Sequence, residues 1–156
     1  MNIVVTPETI TLKKSDITPE GYHLWATHFQ KCRRDYVSPL GQLSPIPYYL
    51  LCHAIELEIK SKLLKTIIGL TAKDVKCFGH DLIKAYNALN PSLQKLTKNE
   101  FNILKIISNI YDNPNKGFEY FDIVNVIYKF KNLSNNNDSL PDITLLDCIA
   151  SKLIEK

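Results

Sequence analysis

SPIPYYLLCHAIELEIKSKLLKTIIG, residues 44–69, reads as one long helix that sets the fold. Leu50, Ala54, Leu57, Ser61, Leu64 and Ile68 recur at alternating steps of four and three, so they share a face. At 1.5 Å per residue, roughly 24 residues span about 36 Å, the width of a small domain. Every other element has to pack on such a rod. Glu56 with Lys60 and Glu58 with Lys62 add four-residue ion pairs in the favourable order.

Outward from this rod, the flanks punctuate clearly. The loop Ser38 to Pro45 is rich in Pro and Gly, and Ser44 ahead of Pro45 restarts helical structure. Before it, Thr18-Pro19-Glu20-Gly21 is a helix start, and apolar and aromatic residues at helical spacing carry that helix from about Pro19 to Tyr36. Residues 1–18 alternate weakly and read as an arm with at most one short strand. After the rod, Lys73 to Phe78 form a bridge to Gly79-His80-Asp81-Leu82. There Gly79 supplies a sharp turn, and Asp81 satisfies the free amides of a short helix over Leu82 to Leu89. Thr97-Lys98-Asn99-Glu100 has capping-box spacing, with Phe101, Leu104, Ile107, Ile110 and Tyr111 behind it as an apolar face. Asp112 to Gly117 is a turn, Phe118 to Phe130 is taken as extended from its Ile and Val content, and residues 131–139 are a polar loop. Pro141-Asp142 opens a last helix with Ile143, Leu146, Ile149, Ala150 and Leu153 on one face. The expectation is an all-α, up-down bundle of about five helices with a short extended segment near 118–128: an arm, 1–18, and one helical domain, 19–156.

Composition excludes several functions. A chain of 156 residues with a net charge of +3 is one ordinary globular domain, too weakly basic for a strong nucleic-acid footprint. Arg33 and Arg34 are the only arginines. Cys32, Cys52, Cys77 and Cys148 are scattered with no paired spacing, which indicates neither a zinc site nor a disulfide framework and suits a reducing cytosol. The first residues lack the charged and apolar regions of a signal peptide, and no apolar run is long enough to span a bilayer. A cytoplasmic location follows as the expectation. His23 and His28 lie five apart with no carboxylate to complete a metal site, and phosphate-loop, H-E-x-x-H and G-x-S-x-G motifs are missing. No metal and no cofactor are expected.

Chemistry-bearing residues concentrate on the rod and the turn after it. His53, Glu56 and Lys60, at steps of three and four, form one polar line beside the apolar face. On a central helix such groups are partly buried and need partners. One reading makes Glu56 and His80 an acid–base pair lining a cleft; the plainer one makes the line a satisfied polar seam that fixes helix register. His80-Asp81 stands at a helix start, where an anion is favoured and where Asp81 also serves as a simple cap. Arg33-Arg34 are candidates for phosphate contact, although two cations at a helix end are more often a solvated face.

The two segments Leu50-Leu51-Cys52-His53-Ala54-Ile55-Glu56-Leu57-Glu58-Ile59-Lys60 and Gly79-His80-Asp81-Leu82 resemble the HEPN-like helical domains of prokaryotes. Members often show H-A-x-E-L-x-x-K-x-x-L on one helix and G-H-D-L in a later turn. The resemblance touches about 45–154, with specific residues only in those two segments. It implies an up-down helical bundle, usually a homodimer. Many members cleave RNA in toxin–antitoxin and phage-defence systems, and others are non-catalytic binding modules. Catalytic members carry R-x(4-6)-H late in the fold, whereas this chain has no arginine after Arg34 and no histidine after His80. The resemblance therefore implies a non-catalytic module with an RNA or protein partner, in which His53, Glu56, Lys60, His80 and Asp81 form a polar network. The alternatives are an atypical metal-independent ribonuclease using His80 and Glu56, and a small-molecule or nucleotide binder at the Gly79-His80 cleft.

Overall fold

The computed structural model describes residues 18–38, 44–112, 118 and 140–155. Among them the fold is all-α with no strand: six α-helices and one short 3-10 turn. The arm over 1–17, the extended segment expected over 119–128 and the polar loop 131–139 lie outside the described residues.

Helix α1, Pro19–Asp35, starts where its sequence signals it. The Thr18 side chain accepts from the Gly21 amide at 3.0 Å, and Pro19 fills the first turn, where no amide is needed. Helix α2, Ile46–Thr66, is the central rod, with α1 lying along it. Its end corrects the sequence reading, which ran the helix to Gly69. Ile67 is already extended, and Gly69 turns the chain with φ of +83°. Ile68, placed on the apolar face by periodicity, is fully exposed as a result. Of the face expected, Ala54 and Ser61 are buried while Leu50, Leu57 and Leu64 are only partly so, and Leu51, Cys52, Ile55, Ile59 and Leu63 are as deep as Ala54.

The bridge after α2 contains a helix of its own, α3, Ala72–Lys76. Thr71 and Asp74 cap it reciprocally: the Thr71 amide donates to Asp74 Oδ2 at 2.7 Å, and the Asp74 amide donates back to Thr71 Oγ1 at 3.3 Å. Helix α4, Leu82–Asn87, follows the Gly79 turn, and Pro91–Leu93 forms the 3-10 turn. Helix α5, Lys98–Tyr111, has the Thr97–Glu100 capping box read from the sequence. Helix α6, Ile143–Ile154, buries Leu146, Ile149, Ala150 and Leu153.

Helices α1, α3, α4, α5 and α6 all contact α2, which is buried on nearly every side. One core joins its residues to Val75, Leu82, Leu104, Ile107, Leu146, Ile149 and Leu153. A rod enclosed this way brings its polar side chains inside with it. Glu56, Glu58, Lys60 and Ser61 are all buried, and their partners shape the site.

Candidate functional site

Glu56 is 5% exposed and lies at the centre of a polar cluster built from three elements. Lys60, one turn along α2, donates to its Oε1 at 2.5 Å. Two further groups reach Oε2: the Tyr111 hydroxyl of α5 donates at 2.7 Å, and His80 Nδ1 of the turn before α4 lies at 2.9 Å. His53 completes the cluster from α2, with Nδ1 3.1 Å from the Tyr111 oxygen. Burial works against charge on Glu56, but the Lys60 charge and the hydrogen bonds from Lys60, His80 and Tyr111 outweigh it and hold the carboxyl below its ordinary range. Tyr111 moves the opposite way: burial and the adjacent Glu56 charge push its hydroxyl far above the usual value, so it remains a donor.

These states fix the protons. An ionised Glu56 only accepts, so His80 Nδ1 carries the hydrogen of that contact. The single Tyr111 proton goes to Glu56, so the bond from His53 Nδ1 runs into the tyrosine oxygen. Both histidines thereby turn an Nδ1–H into the cluster, His80 toward Glu56 itself and His53 toward the tyrosine that Glu56 holds. Aromatic contacts lock the rings: His53 stacks on Tyr49 at 5.9 Å and meets Phe29 of α1 edge-on at 4.5 Å, and His80 meets Tyr111 at 5.0 Å.

The turn is tied in through its backbone. Lys60 Nζ donates to the Gly79 carbonyl at 3.0 Å, and Gly79 has φ of +57°. That left-handed conformation explains the glycine at the head of Gly79-His80-Asp81-Leu82. Ser108, buried on α5, accepts from the Leu82 amide at 3.1 Å and satisfies the start of α4 from outside the segment.

The site residues read from the sequence therefore divide. His53, Glu56, Lys60 and His80 come together. Asp81 stands apart: its carboxylate accepts from the Lys84 amide at 2.9 Å and caps α4. Arg34 belongs to another cluster, with Nε 3.2 Å from Asp147 and one guanidinium nitrogen donating to Ser151 of α6 at 3.0 Å. Gln30 shares both of those partners. Arg33 has a buried Nε with no hydrogen-bond partner among the described residues, and its charge acts on Tyr48 and Asp142. Among the described residues no contact joins either arginine to Glu56 or His80. Tyr111 and Ser108 were missed, since each reads as one more position on the α5 helix.

No family model, curated protein or solved structure matches this chain. The chemistry of the site therefore rests on its geometry. A buried carboxylate orients an imidazole whose side chain is 40% exposed, which is the arrangement of a positioned proton acceptor. Among the described residues Lys60 is sealed against Glu56 and Gly79, and Lys84 lies over the Phe78 ring at 5.9 Å, so neither is free to meet an anionic transition state. Among the described residues no group of His, Cys, Asp and Glu could hold a metal, and no helix is long and apolar enough to cross a membrane. All four cysteines are free thiols, with only Cys52 buried.

Proposed function

We propose that this chain is a non-catalytic HEPN-like binding module, acting as a homodimer with an RNA or protein partner in a prokaryotic defence or toxin–antitoxin setting. The observation that supports it is the sealing of Glu56. The acid expected to work with His80 has both oxygens committed to Lys60, Tyr111 and His80 and is closed to solvent. Such a group holds helices together and does not exchange protons with a substrate. A partner surface is available elsewhere: Leu24 and Trp25 of α1 are half-exposed, and Val37 just beyond it is more so. Light scattering on the purified protein is expected to give twice the 17.9 kDa chain mass; a strictly monomeric mass across the micromolar range would remove the dimer from the proposal.

A second reading is favoured by one contact, the fixed His80 Nδ1–Glu56 bond beneath a partly exposed ring. In it His80 is the base of an atypical metal-independent ribonuclease. The deciding experiment incubates the protein with total RNA and transfer RNA in the presence of chelator, with His80→Ala as the control. The module predicts no cleavage by either protein. Cleavage by wild type that disappears in the variant would establish the ribonuclease in its place.

A further inference from the structure

Helix α1 uses its two histidines differently. His23 reaches the buried Glu58 of α2 at 2.7 Å, whereas His28 is exposed. One turn beyond His28 the same exposed side of α1 carries the free thiol of Cys32. We propose that His28 and Cys32 bind a zinc ion shared with the same pair from a second copy of the chain, one ion per dimer.

Spacing is the first argument. Residues four apart on a helix are neighbours, with Cβ atoms about 5–6 Å apart, and two ligands so placed chelate one ion, as the paired histidines of H-E-x-x-H do. An imidazole nitrogen at about 2.0–2.1 Å and a thiolate sulfur at about 2.3 Å are the ordinary ligands of structural zinc. As the sulfur binds, the thiol proton passes to solvent and no electron moves. Among the described residues neither side chain is engaged in a hydrogen bond or ion pair. The Trp25 ring meets the His28 ring edge-on at 5.7 Å and steadies it beside the thiol.

Ligand number is the second argument. Structural zinc takes four ligands, and among the described residues one chain gathers no three of His, Cys, Asp and Glu that could hold a metal. The pair is half of a tetrahedral set. A two-fold axis supplies the other half, because in an isologous contact each copy brings the same residues to the other. Two histidines and two cysteines result, a set that selects zinc.

The surroundings are the third. Antiparallel packing of two α1 helices about an axis between the ligands sets His28 against Cys32 of the second copy, and sets Leu24 and Trp25 against the end of the helix at Asp35 to Val37. Leu24 and Trp25 are 53% exposed and Val37 is 82% exposed, three of the five large hydrophobic side chains left exposed among the described residues. The contact that completes the metal site thus also covers this apolar surface. The inference rests on the homodimer reading, to which it adds the surface and the ion.

Light scattering on the full chain under a phosphine reductant tests it, first in chelator and then with one zinc ion added per two chains. The 17.9 kDa chain mass is expected in chelator and twice that mass with zinc. Cobalt in place of zinc is expected to saturate at one ion per two chains, with thiolate-to-metal charge transfer and the strong visible absorption of a tetrahedral site. Cys32→Ser and His28→Gln change exposed side chains, so their melting temperatures in chelator are expected to stay at the wild-type value. Their zinc affinity is expected to fall at least about tenfold, the loss that even an outer-shell partner causes, and their mass to stay single. Doubled mass in chelator as well as in zinc overturns the metal bridge and leaves the dimer standing, whereas the single mass in both removes the two together. Saturation at one cobalt per chain, a cobalt spectrum without sulfur charge transfer, or a variant that dimerises with zinc as the wild type does also overturns the site.

Discussion

Glu56→Ala is expected to lower stability by about 3–5 kcal/mol, the usual cost of removing one partner from a buried ion pair. The truncation strands three groups at once. Lys60 keeps only the Gly79 carbonyl, and Tyr111 and His80 lose the acceptor they share. A buried ammonium without its counter-charge is the most costly of these. In a chain of this size each kcal/mol moves the melting temperature by about 2–4 °C, so a drop on the order of 10 °C is expected. Urea denaturation followed by circular dichroism gives the free energy directly. Glu56→Gln, which keeps the volume and one acceptor, should fall between the two. An unshifted midpoint for Glu56→Ala would mean that the carboxylate does not organise the interior as the geometry implies.

The local signals were the legible part of the fold. Thr18, Asp81, Thr97 and Asp142 each cap a helix within three residues of themselves, so their chemistry is complete in a short window. The Thr71–Asp74 box carries the same signal and was passed over because the helix it starts, Ala72–Lys76, is too short to show periodicity. On α2 periodicity indicated a helix but picked out only part of its buried surface, Ala54 and Ser61, and missed Leu51, Ile55, Ile59 and Leu63. An enclosed rod is apolar nearly all round, so no stripe marks its interior. At the site, the line His53, Glu56, Lys60 was readable because helical spacing alone creates it. The Tyr111 contribution was not, since it arrives from 55 residues away and its ring looks like one more core aromatic. The pairing of Glu58 with His23 spans 35 residues and was hidden for the same reason. Tertiary partners of this kind leave no spacing in the sequence to detect.

Lys60→Met tests the cluster from the cationic side and adds a pH signature. At pH 7 the variant strands an ionised Glu56 and is expected to lose about 3–5 kcal/mol. In the wild type the folded pKa of Glu56 lies below its ordinary value near 4.5. The stability this contributes is full above that value and is lost as pH falls through the lower, folded one. In the variant both influences of Lys60 are gone, and burial, the largest single influence, is expected to outweigh the remaining hydrogen bonds from His80 and Tyr111. Its folded pKa then exceeds the unfolded value, so the penalty is full above the raised pKa and fades as pH falls towards 4.5. The wild type loses stability on acidification while the variant recovers it, and the gap between them must narrow. Urea midpoints at pH 7 and pH 4 measure that gap for both proteins. A gap of the same size at both pH values would show that Lys60 stabilises through the packing of its aliphatic stem and not through the charge of Glu56.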